Sequence, residues 1–266
     1  MADRASVREV AMPTFYYLRG NEILERAIPA AQDYVLPGVP WGRPEALFSA
    51  AYWLSQYWMR EGDVLPRKHA LGQTLEEEVV ACLLGGHGIP AEVALAAFER
   101  FRLRGLISDP SAGTEVLSHS LREPLLVAGR PVTYRFWLQK AHYVAIALRT
   151  MREQAPPRGS AHDLRDYLLR LPGIGFKIAS WVVRNWLDSD EVAILDVHIV
   201  RAGLLMGLYS SRDRVSRQYL DMERRFLALA NAMGIPPSDL DALIWQEMRR
   251  SPRLVTRVLK SQKVEN

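Results

Sequence analysis

Apolar residues recur at helical spacing along most of the chain, and the alternation typical of strands is scarce. The pattern predicts helices over 43–60, 74–84, 92–103, 134–151, 176–186, 219–232 and 238–249, with further helices opening at 160 and 197. Thr74 and Ser160 each precede a helical pattern and have an acidic residue three positions later, as in a capping box. The pattern therefore predicts an all-α fold.

The composition is that of an ordinary globular protein, since 48% of the 266 residues are hydrophobic and 24% are charged. Cys82 is the one cysteine in the sequence, which excludes an internal disulfide and an iron–sulfur cluster held by several cysteines. The sequence opens without an apolar segment behind basic residues, and no apolar run reaches the roughly 18 residues of a membrane span. We therefore expect an intracellular protein with no membrane contact.

The positive charge is concentrated near the C-terminus. The net charge of the chain is +4, and residues 197–266 alone contain 12 Lys and Arg against 7 Asp and Glu. Such a segment attracts polyanions such as nucleic acid. A solvated helical surface would have the same composition, so the charge alone leaves both interpretations open.

A glycine-containing turn between two predicted helices is the first candidate for a binding site. Leu171-Pro-Gly-Ile-Gly175 interrupts the helical pattern, and its glycines permit a tight turn and a close approach of the backbone to a partner. Ile174 can fill the space between the two helices. The N–H groups that open the second helix then point outward and form a phosphate site that reads no base sequence. A simple turn between packed helices remains the alternative.

Two reactive side chains follow the turn. Lys177 comes two residues after Gly175, and Asp196 follows at the expected start of the helix at 197. An amine attacks carbon only when it is unprotonated, and burial at the positive end of a helix favours the neutral form. A carboxylate nearby can accept a proton or stabilise positive charge on a sugar. The pair suits attack on C1′ of a deoxyribose, although a surface lysine and a capping aspartate would satisfy the same pattern.

The two segments around these residues resemble the catalytic signature of the helix–hairpin–helix (HhH-GPD) DNA glycosylases. The segments are Leu171-Pro-Gly-Ile-Gly-Phe-Lys177-Ile-Ala-Ser180 and Ala193-Ile-Leu-Asp196-Val-His198-Ile199. Within that superfamily they are most similar to the 8-oxoguanine DNA glycosylase/AP lyases, nearest the archaeal type-2 branch, and the likeness extends over 75–260. Endonuclease III-like members usually contain an iron–sulfur site with four cysteines, which this sequence cannot form.

The resemblance implies an all-α fold of two helical lobes, with a helix–hairpin–helix over 160–186 and a DNA cleft between the lobes. It divides the chain into an N-terminal helical extension, 1–68, packed on the C-terminal lobe, and a glycosylase domain, 69–266. It also implies a monomer that acts in the cytoplasm or nucleoid on double-stranded DNA containing a damaged base. No cofactor is expected, apart from a structural monovalent cation held by hairpin carbonyls.

The implied activity is base excision repair by a bifunctional enzyme. Lys177 would attack C1′ of an oxidised purine nucleotide, chiefly 8-oxoguanine, form a Schiff base and allow strand cleavage by β-elimination. Asp196 would stabilise the oxocarbenium-like state and help to activate the lysine. The DNA backbone would contact His198 and the hairpin residues Gly173, Ile174 and Gly175.

Base flipping requires further contacts, which the resemblance assigns to other segments. His87 occupies the position of a Gln or Asn that fills the vacated space, and Tyr134-Arg135 resembles a pair that wedges beside the orphaned base. The alternatives are a loop histidine and the start of a helix with a core tyrosine and a surface arginine. The residues expected at the base pocket are Trp181, Asp241, Trp245 and Gln246.

Two other functions remain open from the sequence. The same chemistry could act on another damaged or hypermodified base, because His87 departs from the family pattern. The chain could also be a non-catalytic module that uses its hairpin to bind DNA. The spacing of Lys177 and Asp196 argues against a module, since phosphate binding alone requires neither residue.

Overall fold

The computed structural model describes residues 12–60, 70–86 and 88–264. The chain forms two compact units. The terminal unit consists of Met1–Leu65 with Val197–Asn266, and the central unit consists of Pro66–Asp196. The predicted boundary at 68/69 is close to the first change of unit. The segment after Asp196 belongs to the same unit as the N-terminal residues, so the glycosylase domain predicted over 69–266 extends over both units.

The fold is mostly helical, as predicted. In chain order the described elements are β1 (Thr14–Arg19), β2 (Glu22–Ala27), β3 (Tyr34–Leu36), β4 (Val39–Pro40), α1 (Ala50–Arg60), α2 (Leu75–Leu84), α3 (Ala91–Leu103), α4 (Thr114–Arg122), β5 (Leu125–Val127), β6 (Arg130–Val132), α5 (Trp137–Glu153), α6 (Ala161–Leu168), α7 (Phe176–Leu187), α8 (Val197–Leu205), α9 (Val215–Met233), α10 (Pro237–Arg250) and α11 (Pro252–Val264).

Local capping sets the starts of two helices where the sequence predicts them. The Thr74 hydroxyl accepts a hydrogen bond from the Glu77 N–H at 3.2 Å, and the Ser160 hydroxyl accepts one from the Asp163 N–H at 3.2 Å. Two other helices begin later than predicted. α1 begins at Ala50 rather than 43, and α5 begins at Trp137 rather than 134, because Phe48 and Phe136 adopt left-handed backbone conformations just before them.

The N-terminal extension is not wholly helical, contrary to the prediction. In its described part, two antiparallel hairpins, β1–β2 and β3–β4, precede α1. One face of β1–β2 packs on α1, where the ring of Phe15 lies 6.2 Å from that of Trp58. The opposite face exposes Tyr16, Leu18 and Ile23. Because both faces contain large apolar side chains, the polar alternation that reveals a half-buried strand is missing.

The core of the central unit surrounds α2, which packs against α3, α5 and α7. The Glu78 carboxylate on α2 is fully buried and accepts hydrogen bonds from Asn185 Nδ2 at 2.7 Å and from the backbone N–H groups of Leu71 and Gly72 at 2.6 and 2.9 Å. A buried carboxylate needs such donors. These bonds join α2 to α7 and to the segment that leads into α2, so the helix that contains Lys177 is fixed against the middle of the unit.

Candidate catalytic and DNA-binding site

The turn between α6 and α7 has the hairpin geometry that the glycines predict. Gly173 has a positive φ of 81°, and a Cβ atom at this position would overlap the ring of Tyr143. Ile174 is only 6% exposed, and its N–H donates to the Leu171 carbonyl at 3.2 Å. Gly175 is exposed and extended, with no heavy atom of the described structure within 4 Å of its Cβ position. The turn is thus tightly packed on one side and open on the other.

Lys177 lies in the first turn of α7, two residues after Gly175 on the open side of the hairpin, and its side chain is half-buried. The first N–H groups of a helix lack intrahelical acceptors and form its positive end. The first turn of α7 contains no acidic residue that would neutralise this end. An amine and a set of outward N–H groups therefore occupy the same helix terminus.

Trp181 is one helical turn beyond Lys177 and is also half-buried. Its indole lies against the end of α2, where a Cβ atom at Gly85 would be 3.5 Å from Cζ3 of Trp181. Residues four apart share one face of a helix, so Lys177 and Trp181 project from the same side of α7. The indole and the end of α2 therefore pack together on the face of α7 that also contains Lys177.

Asp196 is the last residue of the central unit and directly precedes α8. It is half-buried, and its N–H donates to the Ile194 carbonyl at 2.8 Å. The residues before it, 192–195, are all buried, which anchors the carboxylate to the core of the unit that also contains Lys177. His198 lies in the first turn of α8, in the terminal unit, and is half-buried.

The predicted wedge residues have different environments. Tyr134 has no exposed surface, its hydroxyl donates to the Leu84 carbonyl at 2.6 Å, and burial raises its pKa well above the usual range. A direct contact of Tyr134 with DNA disagrees with this placement, because the ring is part of the core. Arg135 is exposed, so the two residues have the core tyrosine and surface arginine of the alternative interpretation.

The sequence interpretation missed Phe136. Its side chain is 43% exposed, its φ is +60°, and the Arg135 guanidinium lies 5.0 Å from the centre of its ring. Left-handed conformations are unfavourable for a bulky residue and occur most often at functional positions. A large aromatic residue next to the predicted Tyr-Arg pair was the available signal, but sequence periodicity does not show backbone strain.

The turn between α2 and α3 faces the same segment. A Cβ atom at Gly88 would be 3.6 Å from the Phe136 ring and 3.7 Å from the Arg135 guanidinium. His87, predicted to fill the vacated space in DNA, lies outside the described residues. An open apolar groove of about 620 Å³ continues beside Phe136; it is lined by Thr114, Phe136, Trp137, Leu138, Gln139 and His142.

The remaining base-pocket candidates lie on α10 of the terminal unit. Asp241 is 5% exposed, and Trp245 is 37% exposed with the Arg249 guanidinium 5.0 Å from its ring centre. The Gln246 side-chain oxygen accepts a hydrogen bond from Arg60 of α1 at 2.6 Å, and Arg60 also pairs with Glu247. The N-terminal helix thus orients the Gln246 amide, a contact that the sequence did not reveal.

Metal-ligand clusters and membrane-spanning helices are both absent from the part of the chain that the structure describes. Within residues 12–60, 70–86 and 88–264, no three His, Cys, Asp or Glu side chains are grouped as metal ligands. No helix in the same ranges is long and apolar enough to cross a membrane.

Comparison with solved structures identifies the class of protein to which this fold belongs. The 8-oxoguanine DNA glycosylase of Thermotoga maritima superimposes with a TM-score of 0.58 at 22% identity, over 73% of this chain and 94% of that protein. The 8-oxoguanine glycosylase/lyase of Methanocaldococcus jannaschii, in complex with a 15mer DNA containing 8-oxoguanine, gives 0.58 at 20% identity, over 76% and 98%. The fold is therefore that of DNA glycosylases.

Sequence comparison narrows the class to one family. The family model for 8-oxoguanine DNA glycosylase matches residues 67–235, and the chain belongs to this family. An archaeal relative, the 8-oxoguanine DNA glycosylase/AP lyase of Metallosphaera sedula, is 32% identical over 119 residues. That match covers 42% of this chain and 57% of the relative, so the chain spans less than two thirds of the relative's length.

Proposed function

We propose that this protein is a bifunctional DNA glycosylase/AP lyase that removes an oxidised purine, chiefly 8-oxoguanine, from duplex DNA. The observation that carries the proposal is the position of Lys177. It lies in the first turn of α7 behind an open glycine hairpin, within the region that matches the family. A phosphate-binding hairpin would bring a nucleotide to the helix terminus where the amine is located.

In the proposed reaction the neutral Lys177 amine attacks C1′, the bond from C1′ to the base breaks, and the base leaves with a proton. The amine then loses its remaining proton as the sugar ring opens, which gives a Schiff base and a protonated ring oxygen. Transfer of a C2′ proton to a base such as water forms the C2′–C3′ double bond and breaks the C3′–O bond, so the downstream strand leaves with the phosphate at its 5′ end. Water finally hydrolyses the imine and frees the lysine.

Asp196 is proposed to stabilise the positive charge that develops on the sugar and to accept a proton from the attacking amine. Its support is the anchored segment before it, which belongs to the same unit as Lys177. The hairpin residues Gly173, Ile174 and Gly175 and the side chain of His198 are proposed to hold the DNA backbone. A cation at the hairpin carbonyls remains a prediction, and none of these steps requires it.

Two regions are proposed to handle the flipped nucleotide. Arg135 and Phe136, together with His87, would occupy the space that the base leaves, with Phe136 taking the wedge position first assigned to Tyr134. Trp181 would form one wall of the base pocket. Asp241, Trp245 and Gln246 on α10 are proposed, from the sequence alone, to contact the base. An aromatic wall suits a purine because the ring of a flipped base can stack on it.

Trapping with borohydride tests the chemistry directly. We expect the protein to form a covalent adduct with a duplex containing 8-oxoguanine, and we expect Lys177→Gln to form none while still binding the duplex. Asp196→Asn should slow base release and leave affinity for DNA nearly unchanged. Loss of DNA binding in Asp196→Asn would overturn its assigned role.

The same assay separates the other functions. A set of duplexes that differ only in the damaged base would give faster adduct formation with a different base if 8-oxoguanine is not the main substrate. Binding to damaged and abasic duplexes without any adduct would instead indicate a non-catalytic module.

A further inference from the structure

The end of α2 is held by side chains from a distant segment. Lys140 Nζ donates to the Leu83 and Gly85 carbonyls at 2.5 and 2.8 Å, and the Tyr134 hydroxyl donates to the Leu84 carbonyl between them at 2.6 Å. Three consecutive carbonyls are thus bound by two side chains, one just before α5 and one in its first turn, at least 50 positions later in the sequence.

These bonds replace the usual closure of a helix. The last carbonyls of a helix lack partners within it, and a glycine in the left-handed conformation commonly folds the chain back to satisfy them. Gly85 at the end of α2 is extended instead, with φ −80° and ψ −168°. The ammonium of Lys140 supplies the missing donors and lies at the negative end of the helix dipole.

The burial of Lys140 is unusual for a lysine that only caps a helix. Lys140 is half-buried, and burial lowers the pKa of its ammonium. Lysines are mostly exposed because their charge is costly to remove from water. The arrangement keeps a half-buried charged group at the end of α2, the helix against which α5 and α7 both pack.

Lys140 holds the end of α2, which lies beside the residues proposed to contact a flipped nucleotide and to fill the space that it leaves. Gly85 packs against Trp181, the proposed wall of the base pocket, and the Cβ position of Gly86 is 3.8 Å from Lys140 Nζ. Gly86 and Gly88 have positive φ angles of 108° and 77°. The Cβ position of Gly88 is 3.6 Å from the Phe136 ring and 3.7 Å from the Arg135 guanidinium. The Lys140 ammonium therefore binds the end of α2 between Trp181, the proposed pocket wall, and Arg135 and Phe136, the proposed wedge.

We propose that Lys140 is a positioning residue for base flipping. Through the Leu83 and Gly85 carbonyls it holds the turn after α2 in the shape needed while a nucleotide is outside the duplex, and it does not itself touch the reacting atoms. This proposal rests on the proposed function, because it assigns Lys140 a part in that reaction. Tyr134 assists through the Leu84 carbonyl.

The test compares substrates that demand different amounts of flipping. Lys140→Met keeps the length of the side chain and removes its donors. We expect it to slow single-turnover base release from an 8-oxoguanine duplex about tenfold, the effect of losing roughly one charged hydrogen bond. Strand cleavage at a preformed abasic site, where no base must be unpaired, should slow by no more than about twofold. Lys140→Arg should restore most of the duplex rate because the guanidinium still donates.

Direct observation of unstacking separates this role from simple stabilisation. With 2-aminopurine beside the lesion, Lys140→Met should reduce the rate of the fluorescence rise that accompanies flipping. Arg149→Met removes an exposed charge from the same helix and should change neither rate. If Lys140→Met does not fold, Tyr134→Phe is measured in the same way, with a smaller but equally selective effect expected.

Failure of the two proposals would look different. If the wild-type protein neither releases a base nor forms an adduct, the proposed function is wrong. If the wild type is active and Lys140→Met matches it on the 8-oxoguanine duplex, the positioning role is overturned. Equal slowing on the duplex and on the abasic site would also overturn it, because a general loss of structure affects both substrates.

Discussion

Two glycine-containing turns of the central unit, the hairpin between α6 and α7 and the turn after α2, obtain their shapes in different ways. The hairpin between α6 and α7 is closed mainly by its own residues, with Gly173 left-handed, Ile174 buried and a backbone bond back to Leu171. The turn after α2 depends on Lys140 and Tyr134, which are far away in the sequence. A locally closed turn can be identified from its residues, whereas a turn held by distant donors is visible only in the folded chain.

The largest expected effect comes from filling the packed side of the hairpin. Gly173→Ala should lower the free energy of unfolding by about 3 kcal/mol, because a left-handed alanine is strained and its Cβ would overlap Tyr143. Urea titration measures the loss. In the Tyr143→Ala background the overlap disappears and the cost should fall to about 1–2 kcal/mol, the strain alone. An equal loss in both backgrounds would show that overlap with Tyr143 contributes nothing to the cost of the substitution.

A smaller loss is expected at the turn that depends on distant donors. Tyr134→Phe removes a buried hydroxyl from the Leu84 carbonyl and should cost about 1 kcal/mol of stability. Hydrogen exchange should show the loss at the end of α2 and leave the hairpin amides protected as before. If hairpin protection falls to the same extent, the two turns are not independent and the comparison fails.

Phe136 offers a change that separates stability from activity. Phe136→Asn places a residue that tolerates a left-handed backbone at φ +60°, so stability should stay within about 0.5 kcal/mol of the wild type or rise slightly. Base release from an 8-oxoguanine duplex should nevertheless slow several-fold, since the exposed aromatic ring is lost. Phe136→Tyr is the matched control and should retain the rate. An unchanged rate in Phe136→Asn would contradict the wedge assignment.

The smallest effect on stability is expected on the open side of the hairpin. Gly175 has an ordinary φ of −102° and free space at its Cβ position, so Gly175→Ala should change stability by less than about 0.5 kcal/mol. DNA affinity should still fall, because the methyl group obstructs the approach of a phosphate to the backbone. Fluorescence anisotropy with an undamaged duplex measures this, and unaltered binding would argue against the phosphate site.

The predictions from sequence were most accurate where neighbouring residues decide the structure. The caps at Thr74 and Ser160, the end of α7 near Asp188 and the burial of Ile174 all depend on contacts within a few positions. The errors arose where distant contacts decide it. Strands β1 and β2 have no clear alternation, and the starts of α1 and α5 are displaced by left-handed residues that periodicity does not reveal.

The candidate site divides in the same way. Lys177, Asp196 and the hairpin could be proposed from their types and spacing, since each belongs to a short motif with its own chemistry. Tyr134 is buried, and the exposed aromatic ring in that segment belongs to Phe136, which the sequence did not single out, because burial depends on what packs against a segment. The bond from Arg60 to Gln246 joins helices nearly the whole chain apart, and no local pattern indicates it.

Short-range chemistry was enough to specify the helical character and the glycine hairpin and to propose Lys177 and Asp196 as the reactive pair, because caps, turns and charges act over a few residues. Folding in three dimensions decided which aromatic side chain faces outward and which donors hold the end of α2. Those outcomes depend on burial and on hydrogen bonds between segments, and a linear pattern contains no record of which segments will meet.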